Sequence, residues 1–325
     1  MSRGLYVKGM ICIVMICCIC IGVAEAQMSV MPKDFQDNMA QIGPALPKNL
    51  GKAYEATIEA YMPYLAAAPK GGVKVSKDVN YGSDPKQKLD VFQPEGKTGV
   101  PILVFVHGGA YVRGDKTVNA EIYANVTYYF ARKNILGINA TYRLAPAAPW
   151  PSGAEDVGNV VAWLKKNAPQ YGGDPNRIFL FGHSAGATHA GSYVFDKSLQ
   201  PAGGHEVSGA ILMSGRYRVE YDPSDPNAAN MQAYFGKEAN QYPARSPISH
   251  VPKSSIPVFV VIAEYDNPGL DVLGAEFLAA LCTRDGKCPR FLRMKDHNHF
   301  SQFAHFNTAD EELGKEIIDF MNKGR

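Results

Sequence analysis

The chain has little of what would mark a metal, redox or nucleic-acid protein. It is 325 residues long with six cysteines and two tryptophans, and four of the cysteines (Cys12, Cys17, Cys18 and Cys20) lie in one N-terminal apolar run. Cys282 and Cys288 remain, bracketing TRDGK, which reads as a five-residue turn at Asp285-Gly286; with no accompanying ligand set this argues against a zinc site and leaves a small local disulfide or two reduced thiols. Charge of one sign is also missing. The 33 basic and 31 acidic residues leave a formal net charge of +2, with Lys and Arg scattered, so no footprint for nucleic acid is present and charge names no partner. There is no internal repeat, no low-complexity linker and no sign of a required protein partner; oligomeric state is not legible in the sequence.

The first 26 residues read as a targeting segment. Arg3 and Lys8 precede the run MICIVMICCICIGVA, and Ala24-Glu25-Ala26 supplies the small-x-small pattern of a signal-peptidase site. The run is short for a membrane span, so the expectation is an exported chain, periplasmic or secreted, with an uncleaved anchor as the alternative.

Residues 27–325 are expected to form a single α/β domain. Tyr54, Ile58, Tyr61, Met62 and Leu65 fall at helical spacing within residues 52–66, and segment 27–70 reads as a lid or brace. Beyond Pro69 the pattern changes to strands: 73–80, 88–92, 101–106, 135–141, 177–183, 208–213, 256–263 and 290–294. Several are continuous apolar runs, as a sheet buried on both faces requires, and helical patterns at Asp156 to Asn167 and Ala185 to Asp196 alternate with them. That alternation predicts a mostly parallel central sheet flanked by helices. A final helix is expected from Thr308, with Thr308 and Glu311 as a capping box. Residues 214–255, rich in Pro, Ser, Asn and Tyr, are expected to form an irregular or partly helical cap or pocket wall.

Gly182-His183-Ser184-Ala185-Gly186 fits G-x-S-x-G at a strand-to-helix junction, where a strained turn can project the serine oxygen as a nucleophile. His107-Gly108-Gly109-Ala110-Tyr111 closes an earlier apolar strand. The backbone N–H groups of Gly108 and Gly109, joined by that of Ala185, are candidates for an oxyanion hole, and His107 reads as a support for this loop more than as a base. A serine hydroxyl needs an imidazole to take its proton, and His299 is the preferred base, with His297 as close competitor. Asp266, ending a core strand before Asn267-Pro268-Gly269, is the preferred acid over Glu264, Asp271 and Asp296. Tyr111, Tyr217, Tyr234 and Phe300 are candidate pocket aromatics, each equally explicable as core.

The segments HGGAY, YRLAP, DPNRIFLFGHSAG, AEYD and HNHF, in this order, resemble those of the α/β-hydrolase superfamily, particularly the carboxylesterases related to hormone-sensitive lipases, over residues 73–325. The resemblance implies an α/β-hydrolase fold and Ser184, Asp266 and His299 as a triad. It implies carboxylic-ester hydrolysis through an acyl-enzyme on a small-molecule ester, a sequence of bond changes that needs no metal or organic cofactor. Because no long apolar lid segment is identified, short to medium acyl esters are preferred over long triglycerides, and the candidate aromatics suit an apolar or aromatic group. Two departures stand out: HGGA replaces the more frequent HGGG, and HNHF replaces the usual H-G-F. An arylformamidase or related amidase is the enzymatic alternative, and a noncatalytic hydrolase-like binding protein is the alternative of another class.

Overall fold

The computed structural model describes residues 25–26 and 28–324. The apolar run and the basic residues of the expected leader lie outside the described residues.

Nine strands are described: β1 (Glu25–Ala26), β2 (Val73–Asn80), β3 (Lys88–Pro94), β4 (Val100–Val106), β5 (Leu136–Ala140), β6 (Gly173–His183), β7 (Gly209–Met213), β8 (Val258–Tyr265) and β9 (Arg290–Asn298). They form one sheet in the order β1-β9-β8-β7-β6-β4-β5-β3-β2. Only β3 runs against the others, pairing antiparallel with both β2 and β5. All other pairings are parallel. Eight strands match the sequence expectation, and β1 adds a two-residue pairing of Glu25 and Ala26 with Arg293 and Met294.

Side chains alternate across the sheet with the period of two that a strand imposes. Ile102, Val104, Ile178, Leu180, Ala210, Leu212, Val258 and Val260 enter one core. Leu103, Phe105, Phe179, Phe181, Ile211, Met213, Phe259 and Val261 enter the other. Both faces are therefore dry, which explains why these strands read as unbroken apolar runs.

The nine helices of the described residues are α1 (Lys33–Ala45), α2 (Leu50–Ala67), α3 (Ala124–Arg132), α4 (Ser152–Asn167), α5 (Ala185–Phe195), α6 (Ala228–Phe235), α7 (Leu270–Asp285), α8 (Ser301–Ala304) and α9 (Glu312–Lys323). Helices α4, α5 and α7 cover the first face, while α1, α2, α3, α8 and α9 cover the second. Asn49 starts α2 by accepting a hydrogen bond from the Lys52 amide at 3.1 Å. Among the described residues no helix is long and apolar enough to cross a membrane.

The sequence reading needs three corrections here. Helix α9 begins at Glu312 rather than Thr308, and no capping box forms. The Thr308 hydroxyl donates to the His305 carbonyl at 2.6 Å instead, and Asp310 is drawn inward to His297. Helices α1, α3, α7 and α8 were not anticipated. The TRDGK segment is no free turn, because α7 continues through Asp285 and stops at Gly286, whose φ of 67° is the left-handed C-cap geometry. Cys282 and Cys288 are joined there, with Cα atoms 4.0 Å apart. In segment 214–255, α6 and its flanking turns bury Val219, Met231, Tyr234, Phe235 and Tyr242 in a third apolar cluster with Tyr111 and Ala185.

Candidate active site

Because the strands are parallel, the residues after β4, β6, β7, β8 and β9 all emerge at one rim of the sheet, where ligand sites of such sheets form. Gly108, Ser184, Ser214, Asp266 and His299 occupy those positions. A cavity of about 420 Å³ opens there; Ser184, His299, Gly108, Gly109 and Ala185 are in its wall. That volume suits a small molecule.

Ser184 is the residue between β6 and α5 and has φ 54° and ψ −122°, a conformation costly for a residue with a Cβ. The turn is held by its neighbours. The Ser184 amide donates to the Met213 carbonyl at 2.9 Å, and its own carbonyl accepts from Ala187 and Thr188 at 3.0 and 3.1 Å. Gly186 is required because a Cβ there would lie 2.1 Å from the Val106 carbonyl oxygen. Gly108 is equally constrained: a Cβ would sit 2.9 Å from the Ser184 Cβ. Of the oxyanion-loop candidates, Gly108 thus packs its backbone directly against Ser184.

His299 and Asp266 are brought together. The His299 Nδ1 lies 2.6 Å from Asp266 Oδ1, which also accepts from the Asn267 amide at 2.9 Å. Oδ2 accepts from the Ser214 hydroxyl at 2.5 Å and the Ala263 amide at 3.2 Å. Four donors fix the carboxylate, so the imidazole that bonds it has one orientation. Ser214, with Gln302 Oε1 2.8 Å from its hydroxyl, was not recognised in the sequence. Its only signal is a lone Ser-Gly after a core strand.

His297, the competing base, is placed elsewhere. It is buried outside the cavity, with Nδ1 3.1 Å from the Ser301 hydroxyl and Nε2 3.1 Å from Asp310 Oδ2. The acid alternatives are also not placed at His299: Glu264 accepts from the Asp296 amide at 2.7 Å and pairs with Arg293 at 3.1 Å, and Asp271 lies in the first turn of α7. Asn298, between the two histidines, accepts from the Phe300 and Ser301 amides and donates to Thr57 of α2 at 3.0 Å, tying the loop that carries His299 to the N-terminal helices.

His107 supports the loop. Its Nδ1 is 2.6 Å from the Gly108 carbonyl, its ring stacks on Tyr142 at 4.5 Å, and burial pulls its pKa down to about 4, so the ring is neutral.

Of the candidate aromatics, Tyr111 and Phe300 line the cavity, Phe300 packing edge-on against Tyr54 of α2 at 5.1 Å. Tyr217 and Tyr234 do not. Tyr217 is fully buried, stacked on Phe277 at 4.1 Å with its hydroxyl accepting from the Gly215 amide. Tyr234 stacks on Tyr111 at 4.9 Å from behind, and its hydroxyl accepts from the Gly153 amide. Both rings serve core packing because they found buried donors for their hydroxyls. The segment 214–255 reaches the cavity through Arg216, paired with Asp225, and Asn227, none of which was singled out in the sequence. No cluster of metal-ligating side chains occurs among the described residues.

This sheet and rim define an α/β-hydrolase. The model of the prolyl oligopeptidase family matches residues 151–323, and the chain belongs to that family; a second model, BD-FAE, matches residues 89–195. A probable isoprenylcysteine alpha-carbonyl methylesterase of Oryza sativa subsp. japonica is 32% identical over 50% of this chain and 34% of its own. Esterase LipC of Mycobacterium tuberculosis is 32% identical over 58% of this chain and 50% of its own, and Esterase LipQ of the same organism is 28% identical over 80% and 65%. The chain therefore spans about a third to two thirds of the length of these curated relatives. Among solved structures, a Pyrobaculum calidifontis esterase superposes with a TM-score of 0.67 at 20% identity, covering 90% of this chain and 99% of that one. A truncated carbohydrate esterase from gut microbiota gives 0.64 at 18% identity, over 79% and 100%. These two likenesses concern the fold.

Proposed function

We propose that the chain is a serine carboxylic-ester hydrolase that works through an acyl-enzyme. The observation that carries the reading is the 2.6 Å His299–Asp266 contact on a cavity whose wall also holds Ser184 and the Gly108–Gly109 loop. Ser184 Oγ attacks the ester carbonyl while His299 takes its proton; since Nδ1 is engaged by Asp266, Nε2 is the accepting nitrogen. The amides of Gly108, Gly109 and Ala185 stabilise the oxyanion, the alcohol leaves with the proton, and water repeats the sequence on the acyl-enzyme. The cavity volume and the Tyr54–Phe300 pair favour esters of short to medium acyl chain with an aromatic group.

Export with removal of residues 1–26, which takes the two-residue β1 off the edge of the sheet, is part of the same proposal, supported by the leader pattern and by a disulfide that an oxidising compartment would maintain. Retention of the leader as an anchor is the other outcome.

The test is a graded ester panel and a set of N-formyl aromatic compounds, assayed with the wild type and Ser184→Ala. Turnover of short esters that vanishes in the variant is the expected result. Cleavage of formyl compounds with inert esters would replace the reading by an arylformamidase, and turnover of either class unaffected by Ser184→Ala would remove the serine mechanism.

A further inference from the structure

The variable position of G-x-S-x-G is held here by His183, whose ring turns into the fold between the nucleophile, the base and the oxyanion loop. Its Nε2 lies 2.9 Å from the His299 backbone carbonyl, and its ring centroid is 4.6 Å from that of His299 and 5.0 Å from Phe303 of α8. A carbonyl only accepts, so Nε2 carries the proton and Nδ1 is a bare lone pair. That lone pair is buried without a partner, 3.1 Å from where a Cβ on Gly108 would stand. The other side of His299 is fastened as well: its amide donates to the Tyr265 carbonyl at 3.0 Å, one residue before Asp266. The base is thus held through its backbone from β6 on one side and β8 on the other.

We infer that His183 is a positioning residue for the base, fixing the His299 backbone through the hydrogen bond from its Nε2–H. The inference rests on the serine-hydrolase reading for its kinetic consequence. Two imidazoles in contact compete for the proton that Ser184 releases, and only His299 has a carboxylate to stabilise the charged ring. The titratable groups facing His183 are His299 and, from the end of β4, His107; burial first, then the charge of His299, holds its pKa well below the usual histidine value. His183 therefore remains a donor while His299 cycles between neutral and charged.

The experiment compares His183→Leu, which keeps bulk without a donor, with His183→Gln, whose amide can reach the same carbonyl. Misplacement of a base by a fraction of an ångström to an ångström costs on the order of 10- to 100-fold in rate. His183→Leu is expected to lose that in kcat with KM within about threefold, and His183→Gln to recover most of it. Equal impairment of the two variants, or a Leu variant with kcat near wild type, would overturn the inference. The wild-type protein provides an independent measurement should either variant fold poorly. The ¹⁵N shifts of the His183 ring should report a protonated Nε2 and a bare Nδ1 throughout pH 5 to 9, and a ring that titrates in that range, or carries its proton on Nδ1, would refute the geometry. The tautomer is read without any substrate. A chain that cleaves no ester but shows the expected tautomer would therefore remove the esterase reading and the rate claim together while leaving the His183 geometry in place.

Discussion

Replacing Ser214 by alanine tests the acid end of the site quantitatively. The Ser214 hydroxyl is fully buried and is the shorter of two donors to Asp266 Oδ2; without it, that oxygen keeps only the Ala263 amide at 3.2 Å. A hydrogen bond to a charged group contributes about 1.5–3 kcal/mol, and the Gln302 oxygen 2.8 Å away loses its contact in the same step. Alanine, like serine, carries a Cβ at the observed φ of 51°, so the steric cost of the backbone is common to both and the difference chiefly reports the hydroxyl. Unfolding in urea should show a loss of about 2–3 kcal/mol. Activity should fall about tenfold in kcat with little change in KM, because the freed carboxylate no longer orients His299 alone. A variant within about 0.5 kcal/mol of wild type and fully active would refute the claim that this hydroxyl holds Asp266.

His299→Asn should reduce kcat by about 10²–10⁴-fold, whereas His297→Asn should lower stability while keeping kcat within about tenfold; the reverse pattern in a steady-state assay would exchange their roles. Asp310 is buried, which alone would raise its pKa, but His297 Nε2, 3.1 Å from its Oδ2, and the charges of His305 and His297 outweigh burial and hold it at about 2 against 3.8. A depressed carboxyl stabilises the fold fully above its unfolded pKa and loses that contribution as pH falls through the folded value, so about 2 kcal/mol should disappear between roughly pH 4 and 2. Asp310→Asn should lack that component in urea titrations across the interval, and an unchanged profile would count against the pairing. Gly186→Ala should cost about 3 kcal/mol or more, since the added carbon meets the carbonyls of Val106 and His107, which are backbone and cannot yield. A soluble variant with wild-type melting behaviour would contradict that contact.

The sheet was legible because β4, β6, β7 and β8 are buried on both faces, and burial writes itself as apolar runs. Helix α7 escaped notice for a related reason. Its buried Leu270, Leu273, Phe277 and Leu281 share the helix with exposed Val272, so the apolar stripe is blurred. In α1, Phe35, Met39 and Gly43 do recur at intervals of four, but Pro44 close behind interrupts the pattern. The Thr308 cap failed because Asp310 has a tertiary partner that no local motif reveals. At the site, the order of motifs pointed to Ser184, Asp266 and His299, each of which directly follows a strand. Ser214 and the inward turn of His183 depend on contacts spanning 52 and 116 residues, and such pairs leave no periodic trace.

Ala110, Tyr111, Ser184 and Ser214 all have positive φ, at 48°, 71°, 54° and 51°. They follow β4, β6 and β7 at a single rim. Each such residue is less stable than a relaxed one by about 1–3 kcal/mol, so the rim that lines the cavity holds strain in its own geometry. Asn134 and Glu206, just ahead of β5 and β7 at the opposite rim, have φ of 61° and 53° and carry the same cost away from the cavity. A laboratory seeking a hardier variant therefore has a geographical rule: substitutions that relax the backbone belong at the amino-terminal rim and the outer helices, where firmness can be added without blunting the edge that cuts.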